Sequence, residues 1–324
     1  MGKAIHLDRD IIGKTGRRKK AKSTERITAG QHLSKAIRQS VEAGDLRKAV
    51  RLVEEGGPVL EATENLAEAM ILKHPERLQS NTPDPTPPSA PPLSVTKEIV
   101  EAAIESFSWA SAAGVDGLRP SHLKQLTGPE SADGKEVLLE SLTKFTNLCL
   151  SGNVPIRIRP RFFGCRLLAF QKPDGGTRPI AIGGTLRRLV AKVACRVFST
   201  DLANILSPIQ MGVGVRGGAE AAVHSARTFC STMTQSEGFI KLDFTNAFNS
   251  ISRTAVIRSV IELAPALYQF VHCAYSTESD LQFGGWTLKS REGVQQGDPL
   301  GPVVFSLAVR DAQMHFLFPS LVPR

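Results

Sequence analysis

The spacing of apolar and polar residues predicts a strand over residues 239–244. Side chains alternate there, so Ile240 and Leu242 are expected on one face of the strand and Lys241 and Asp243 on the other. Because the apolar face of a strand packs against the core, the carboxylate of Asp243 is expected to point away from it. This strand is the first candidate for a chemical site.

A helix is predicted a few residues further along the chain. Ser252 is of the type that caps helix N-termini, and Val256, Val260 and Leu263 follow it at helical spacing. Pro265 is expected to end this helix, because proline cannot continue the backbone hydrogen bonds. The segment therefore has the order strand, acid, aromatic residue, helix.

Two hairpins are predicted elsewhere in the chain. Residues 166–182 contain two apolar runs joined by the turn sequence Lys-Pro-Asp-Gly-Gly-Thr, and Gly284 and Gly285 separate two shorter runs. Lys172 and Arg178 flank the first turn, where a guanidinium fork and an ammonium group suit phosphate oxygens. The alternative is an ordinary surface hairpin with solvated charges.

A glycine-rich segment at residues 293–302 leads into another predicted helix. Asp298 and Pro299 are typical of an N-cap and of the first helical residue. Gln296 is then expected at a helix N-terminus, where backbone N–H groups favour phosphate, while Gly297 lets a base pair approach closely. Capping already accounts for Asp298, which makes it a weak candidate for a second metal ligand.

Asp243 is the strongest candidate for a metal ligand. Phosphoryl transfer depends on positioning and charge neutralisation, commonly by two divalent ions about 3.5–4 Å apart. Mg²⁺ keeps several waters and takes one or two carboxylates together with substrate phosphates, so one Asp on a rigid strand fits this role. The alternative is that Asp243 caps the turn after the strand.

Three segments of the chain resemble one protein family. Residues 241–250, Lys-Leu-Asp-Phe-Thr-Asn-Ala-Phe-Asn-Ser, and 293–302, Gly-Val-Gln-Gln-Gly-Asp-Pro-Leu-Gly-Pro, are similar to motifs A and B of reverse transcriptases, especially those of non-LTR retrotransposons. Residues 166–182 resemble the fingers hairpin of that family, so Lys172 and Arg178 would bind dNTP phosphates. The resemblance implies an α+β right-hand polymerase, with fingers and a partial palm made of an antiparallel sheet and packed helices.

The same resemblance implies roles for individual residues. Asp243 would bind the metal, and Phe244 would add its backbone carbonyl as a ligand. Phe248 would be the aromatic gate that excludes a ribose 2′-hydroxyl, and Gln296 and Gly297 would line the pocket for the nucleotide and the template. The implied activity is RNA-directed DNA polymerase, a nucleotidyltransferase, with two Mg²⁺ ions, an RNA template, a DNA primer and dNTPs.

The expected motif C, a Tyr-x-Asp-Asp hairpin after motif B, is absent from the sequence. The chain has no Asp-Asp pair, and Asp311 is the only acid after Asp298. Since the second carboxylate motif is missing, we expect the chain as given to be truncated after motif B and inactive. The alternative function is that of a catalytically dead, nucleic-acid-binding remnant of a retroelement.

Composition agrees with a nucleic-acid partner. The formal net charge is +9 and the pI is about 9.5, which favours binding to phosphate backbones. Aromatic residues make up only 6% of the chain, so an extended base-stacking platform is not expected. The 5 cysteines are scattered and match neither a zinc site nor a disulfide framework, which fits a reducing compartment.

The sequence divides into four regions. These are a basic, disordered arm at 1–30, a small helical region at 31–80, a proline-rich linker at 81–93 and a reverse transcriptase domain at 94–324. No apolar run approaches the ~20 residues of a membrane span, so we expect an intracellular protein, nuclear or cytoplasmic, with no membrane partner. Candidate nucleic-acid contacts in the arm are Arg17, Arg18, Lys19 and Lys20.

One competing motif has to be weighed. Residues 212–217 match the glycine fingerprint of dinucleotide-binding proteins, and Glu237 follows at a suitable distance. The fingerprint requires a strand directly before it, whereas residues 207–211 contain a proline. We therefore predict a helix at 219–229 and no dinucleotide site. Arg216 could contact the template backbone or be a solvated surface residue.

Overall fold

The computed structural model describes residues 37–39, 41–42, 59–77, 86–129, 131–172 and 175–317, and these residues form an α+β fold as predicted. The helices are α1 (Glu64–Leu72), α2 (Lys97–Glu105), α3 (Pro120–Leu126), α4 (Ala132–Leu150), α5 (Arg159–Phe162), α6 (Thr185–Val197), α7 (Ser199–Leu206), α8 (Gly218–Thr232), α9 (Ala247–Ser250), α10 (Arg253–Leu263), α11 (Tyr268–Tyr275) and α12 (Gly301–Leu317). The strands are β1 (Cys165–Gln171), β2 (Thr177–Gly183), β3 (Ser279–Phe283) and β4 (Trp286–Ser290).

The four strands form one sheet in the order β2-β1-β3-β4. Both predicted hairpins are confirmed, since β1 pairs antiparallel with β2 and β3 pairs antiparallel with β4. The hairpins are joined by a short parallel contact, in which Cys165 is opposite Leu281. The sheet is therefore mixed, with antiparallel pairing inside each hairpin.

Helix α1 precedes the proline-rich segment but packs against the sheet that follows it. Ala67 and Met70 of α1 are buried in one cluster with Leu167 and Leu281 of the sheet. The main core lies elsewhere and is built chiefly by α2, α4, α6, α10, α11 and α12. Burial of α1 thus ties the residues before the proline-rich segment to the sheet.

Two predicted helices are confirmed with their boundaries close to those expected. Ser252 caps α10 by accepting a hydrogen bond from the backbone N–H of Ala255 at 3.3 Å, and Val256 and Val260 are buried. Helix α8 follows the glycine-rich segment, and no strand is assigned at residues 207–211.

The predicted strand at 239–244 is absent, and this prediction was wrong. The side chains of Ile240, Leu242 and Phe244 are 72%, 66% and 65% exposed. A single extended segment is stable as a strand only when another strand pairs with its backbone. Within the described part of the chain no strand lies beside it, so its alternating pattern has no sheet to join.

Several predictions from the sequence concern residues outside the described part of the chain. The basic arm with Arg17, Arg18, Lys19 and Lys20 lies outside the described residues, as do most of residues 31–58 and residues 81–85 of the proline-rich segment. Among the described residues, no helix is both long enough and apolar enough to span a bilayer.

Candidate functional site

The loop that precedes α12 lies directly against α9. The backbone N–H of Val294 donates to the carbonyl of Phe248 at 2.7 Å, and that of Gly293 donates to the carbonyl of Ile251 at 3.0 Å. Gly293 has a φ of +72°, and a Cβ atom there would lie 2.3 Å from the carbonyl carbon of Asn249. Only glycine allows the two backbones to approach this closely.

The same loop also contacts the first hairpin. The backbone N–H of Ala181 in β2 donates to the carbonyl of Gln296 at 2.8 Å. Gly297 has a φ of +115°, and a Cβ atom there would lie 2.6 Å from the carbonyl oxygen of Ala181. Residues 166–182, 241–250 and 293–302, which are far apart in sequence, therefore meet at this loop. We call this place the three-segment junction.

A network of buried polar side chains anchors the loop before α12 to the core. The amide nitrogen of Gln295 donates to the carbonyl of Phe163 at 2.8 Å and to the hydroxyl of Ser279 at 3.1 Å. The amide oxygen of Gln295 accepts from the guanidinium of Arg187, which is also ion-paired with Asp298. These groups are almost fully buried, so each relies on its partners and not on water.

Asp298 serves as a structural anchor in this network. One of its oxygens accepts a hydrogen bond from the backbone N–H of Leu300 at 2.8 Å, and the other pairs with Arg187. The bond to Leu300 closes a turn just before α12, which begins at Gly301, two residues after the predicted start at Pro299, so the structure does not place Asp298 at the N-cap. Burial by itself would lower the pKa of Arg187, but the charge of Asp298 and smaller polar contacts leave that pKa raised.

A second buried arginine fixes the other side of the loop. Arg253 donates to the carbonyls of Gly293 and Thr277, each at 3.0 Å, and to the hydroxyl of Ser290 at 2.8 Å. Its guanidinium lies 5.4 Å from the ring centroid of Tyr275. Burial lowers the pKa of Arg253 to about 10, which still leaves the side chain charged at neutral pH. Arg253 thus links α10 to both ends of the β3–β4 region.

The sequence analysis missed both buried arginines. A weak signal existed for Arg187, since it lies three, four and seven residues before the buried Val190, Ala191 and Ala194 of the same helix. A charged residue on an apolar stripe is unusual unless it is paired. Arg253 shows the same signal, since it lies three, four and seven residues before the buried Val256, Ile257 and Val260 of α10.

The residues assigned to the nucleotide are only partly brought together. Gln296 lies at the junction, but in a loop five residues before α12, so its expected place at a helix N-terminus was wrong. Lys172 and Arg178 lie at the end of the β1–β2 hairpin; Lys172 is half-buried and Arg178 is exposed. Phe248 is half-buried and stacks on Phe305 of α12, with ring centroids 4.8 Å apart and planes 7° apart.

The residues predicted to bind the metal ion lie in an exposed segment of the chain. Asp243 and Phe244 belong to the exposed segment that was expected to be a strand. In the described part of the chain, no three His, Cys, Asp or Glu side chains are placed to hold a metal ion together. Arg216 is exposed in the turn before α8, where it makes no contact with the junction that the structure records.

Comparison with known proteins gives two distant relatives, and no family model matches the chain. The chain is 27% identical over 233 residues to the Retrotransposable element SLACS 132 kDa protein of Trypanosoma brucei gambiense, which covers 69% of this chain and 19% of that protein. It is 21% identical over 197 residues to the Putative COX1/OXI3 intron 1 protein of Saccharomyces cerevisiae, which covers 59% of this chain and 22% of that protein. These similarities support a retroelement-related protein. The chain spans about a fifth of the length of these relatives.

Proposed function

We propose that this chain is the fingers and partial palm of a non-LTR-type reverse transcriptase, which copies RNA into DNA. The observation that carries the proposal is the three-segment junction. The segments that resemble the fingers hairpin, motif A and motif B are joined by backbone hydrogen bonds from Ala181 to Gln296 and from Val294 to Phe248. A nucleotide site needs such convergence, because catalysis of phosphoryl transfer is mainly positioning and charge neutralisation.

The proposed roles follow from this arrangement. Lys172 and Arg178 would hold the triphosphate, because they extend from the hairpin whose second strand contacts the junction. Gln296 and Gly297 would support the nascent base pair, since Gly297 exposes backbone at the loop surface. Phe248 would lie beside the sugar, with its ring orientation fixed by the stack on Phe305.

Asp243 and the backbone carbonyl of Phe244 would contribute to a magnesium site. Mg²⁺ would supply charge neutralisation at the transferring phosphate. The described residues do not form a complete two-metal site, because Asp243 has no cluster of further acids around it. We propose that the remaining carboxylates belong to another part of a longer protein, and that this part pairs with residues 239–244 as a strand and covers Ile240 and Leu242.

A second candidate function is a nucleic-acid-binding protein without catalysis. It is favoured by the absence of a metal-holding cluster among the described residues together with the net charge of +9. Both candidates require RNA binding, and only the first requires Asp243. Chemistry in a longer protein therefore distinguishes them, whereas binding alone does not.

The first prediction concerns RNA binding by the chain itself. The logarithm of its affinity for a single-stranded RNA should fall linearly with the logarithm of salt concentration, by about 0.7 per phosphate contacted, because bound counterions are released. Fluorescence anisotropy across a salt series measures the slope. A flat response, or no binding at about 50 mM salt, would contradict both candidate functions.

The second prediction concerns the gate in a longer protein that carries the proposed carboxylates. Phe248→Ala opens space beside the sugar, so incorporation of rNTPs should rise while use of dNTPs largely survives. The measurement is the ratio of kcat/KM for a dNTP and its matching rNTP.

Phe162→Ala is the matched control for this experiment, because Phe162 is another half-buried aromatic in a ring cluster, packed edge-on against Phe163 at 5.0 Å. The control should leave the sugar preference unchanged. Equal ratios in wild type and Phe248→Ala would show that Phe248 serves only the packing on Phe305.

A further inference from the structure

A cavity of about 600 Å³ opens on one side of β1. It lies between that strand, the turn at residues 113–117 and the end of the β3–β4 hairpin. Arg166, Leu167 and Leu168 of β1 line it, and Arg166 and Leu168 are half-buried whereas Leu167 is buried. The cavity is built by residues other than those assigned to the nucleotide. Its apolar walls include Leu60, Val115, Leu168 and Phe283.

Close backbone contacts hold the walls of the cavity in place. A Cβ atom on Gly114 would lie 2.7 Å from the Cα atom of Gly184, so the turn packs directly on the start of α6. On the other side, a Cβ atom on Gly284 would lie 2.6 Å from Cβ of Ala62. These contacts fix the turn at residues 113–117 against α6 and the β3–β4 turn against Ala62.

Arg166 brings an unpaired positive group into this cavity. Its Nε atom is buried and has no hydrogen-bond partner, and the structure shows no ion pair for its guanidinium among the described residues. Burial, and then the charge of the nearby Arg119, lower the pKa of Arg166. Arg187 and Arg188 also have an unpaired Nε atom, but their terminal nitrogens are paired, whereas the structure records no partner for those of Arg166 among the described residues. A ligand in the cavity would supply the missing acceptor.

We propose that the cavity binds one nucleotide unit, with its phosphate on the guanidinium of Arg166 and its base or sugar against Val115 and Leu168. A guanidinium fork matches phosphate oxygens, and the adjacent apolar walls suit the uncharged part of a nucleotide. The volume lies within the range of roughly 300–1,000 Å³ that is usual for small-ligand pockets. The proposal rests on the proposed function, because an RNA strand is the expected source of that nucleotide.

The first test compares Arg166→Met with Arg157→Met, which removes the same charge from an exposed position. Affinity for a fluorescent single-stranded oligouridylate is measured by anisotropy at fixed salt. Arg166→Met should weaken binding roughly tenfold, because charge-assisted bonds to a half-buried guanidinium are lost, and Arg157→Met by about twofold or less. Equal losses in the two variants would overturn the proposal.

Thermal unfolding distinguishes a binding role for Arg166 from a structural one. A structural role would lower the unfolding midpoint of Arg166→Met, whereas a binding role would not. The unfolding midpoint of Arg166→Met should equal or exceed that of wild type, since the variant removes a buried donor that lacks a partner. A lower midpoint would show that Arg166 stabilises the fold and would overturn the binding role. Ala113→Leu, which fills the cavity without changing charge, should weaken oligouridylate binding as Arg166→Met does.

The source of the phosphate is resolved by competition in the wild-type chain. Uridine monophosphate should displace the oligouridylate from the Arg166-dependent site, whereas inorganic phosphate at the same concentration should not. Equal displacement by inorganic phosphate would overturn the nucleotide assignment.

If the oligouridylate does not bind but the monophosphate binds and needs Arg166, the proposed function fails while the cavity assignment stands. If the oligouridylate binds equally to both arginine variants, the cavity assignment fails while the proposed function stands.

Discussion

Asp298→Ala is expected to lower the free energy of unfolding by about 3–5 kcal/mol, which is the usual cost of removing one partner from a buried ion pair. Asp298 and Arg187 are almost fully buried, and Asp298 also accepts the backbone N–H of Leu300 at 2.8 Å. The substitution leaves the guanidinium of Arg187 without its counter-charge. Urea denaturation followed by circular dichroism measures the change.

Two further variants test the cause of this loss. Arg187→Met combined with Asp298→Leu removes both charges, so it should recover much of the stability lost in Asp298→Ala. Lys97→Met breaks the more exposed ion pair between Lys97 and Glu136, and it should lower the free energy of unfolding far less than Asp298→Ala does, because water already solvates both charges. Similar losses in Lys97→Met and Asp298→Ala would contradict the view that the buried pair anchors the junction.

Local sequence signals predicted the elements whose stability is mostly local. Turn residues define the two hairpins, so β1–β2 and β3–β4 were predicted correctly. The capping residue Ser252 and the apolar stripe after it predicted α10. In each case the turn, the cap or the apolar stripe that stabilises the element lies within the element's own sequence.

Contacts between distant segments could not be predicted in this way. The side-chain nitrogen of Asn246 donates to the carbonyl of Lys73 at 2.8 Å, which places the residue after α1 beside α9. The network of Arg187, Gln295 and Asp298 likewise joins residues from separate elements. Nothing in the spacing of one segment specifies which distant carbonyl or carboxylate it will meet.

The segment at 239–244 shows a different limit of sequence patterns. Its alternation is typical of a strand, but alternation states only which face can be buried. Whether a strand forms depends on a neighbour that supplies backbone partners. In the described residues this neighbour is absent, and Ile240 and Leu242 remain exposed. The pattern is thus evidence for a pairing site and not for a strand formed in isolation.

Loss of Asp243 is expected to have the largest effect on chemistry. In a longer protein with the proposed carboxylates, Asp243→Asn removes a charge that binds metal, so extension of a primer should be abolished. Asp201→Asn is the matched control, because Asp201 is an exposed aspartate on α7. The control should leave extension unchanged.

The most direct test of the account is therefore RNA-templated incorporation of dNTPs by the longer protein, measured side by side for wild type, Asp243→Asn and Asp201→Asn. We predict extension by wild type and Asp201→Asn and none by Asp243→Asn. Extension by Asp243→Asn at the wild-type rate would contradict the assignment of the metal ligand. A longer wild-type protein that binds RNA but does not extend the primer would contradict the polymerase function and favour the nucleic-acid-binding remnant.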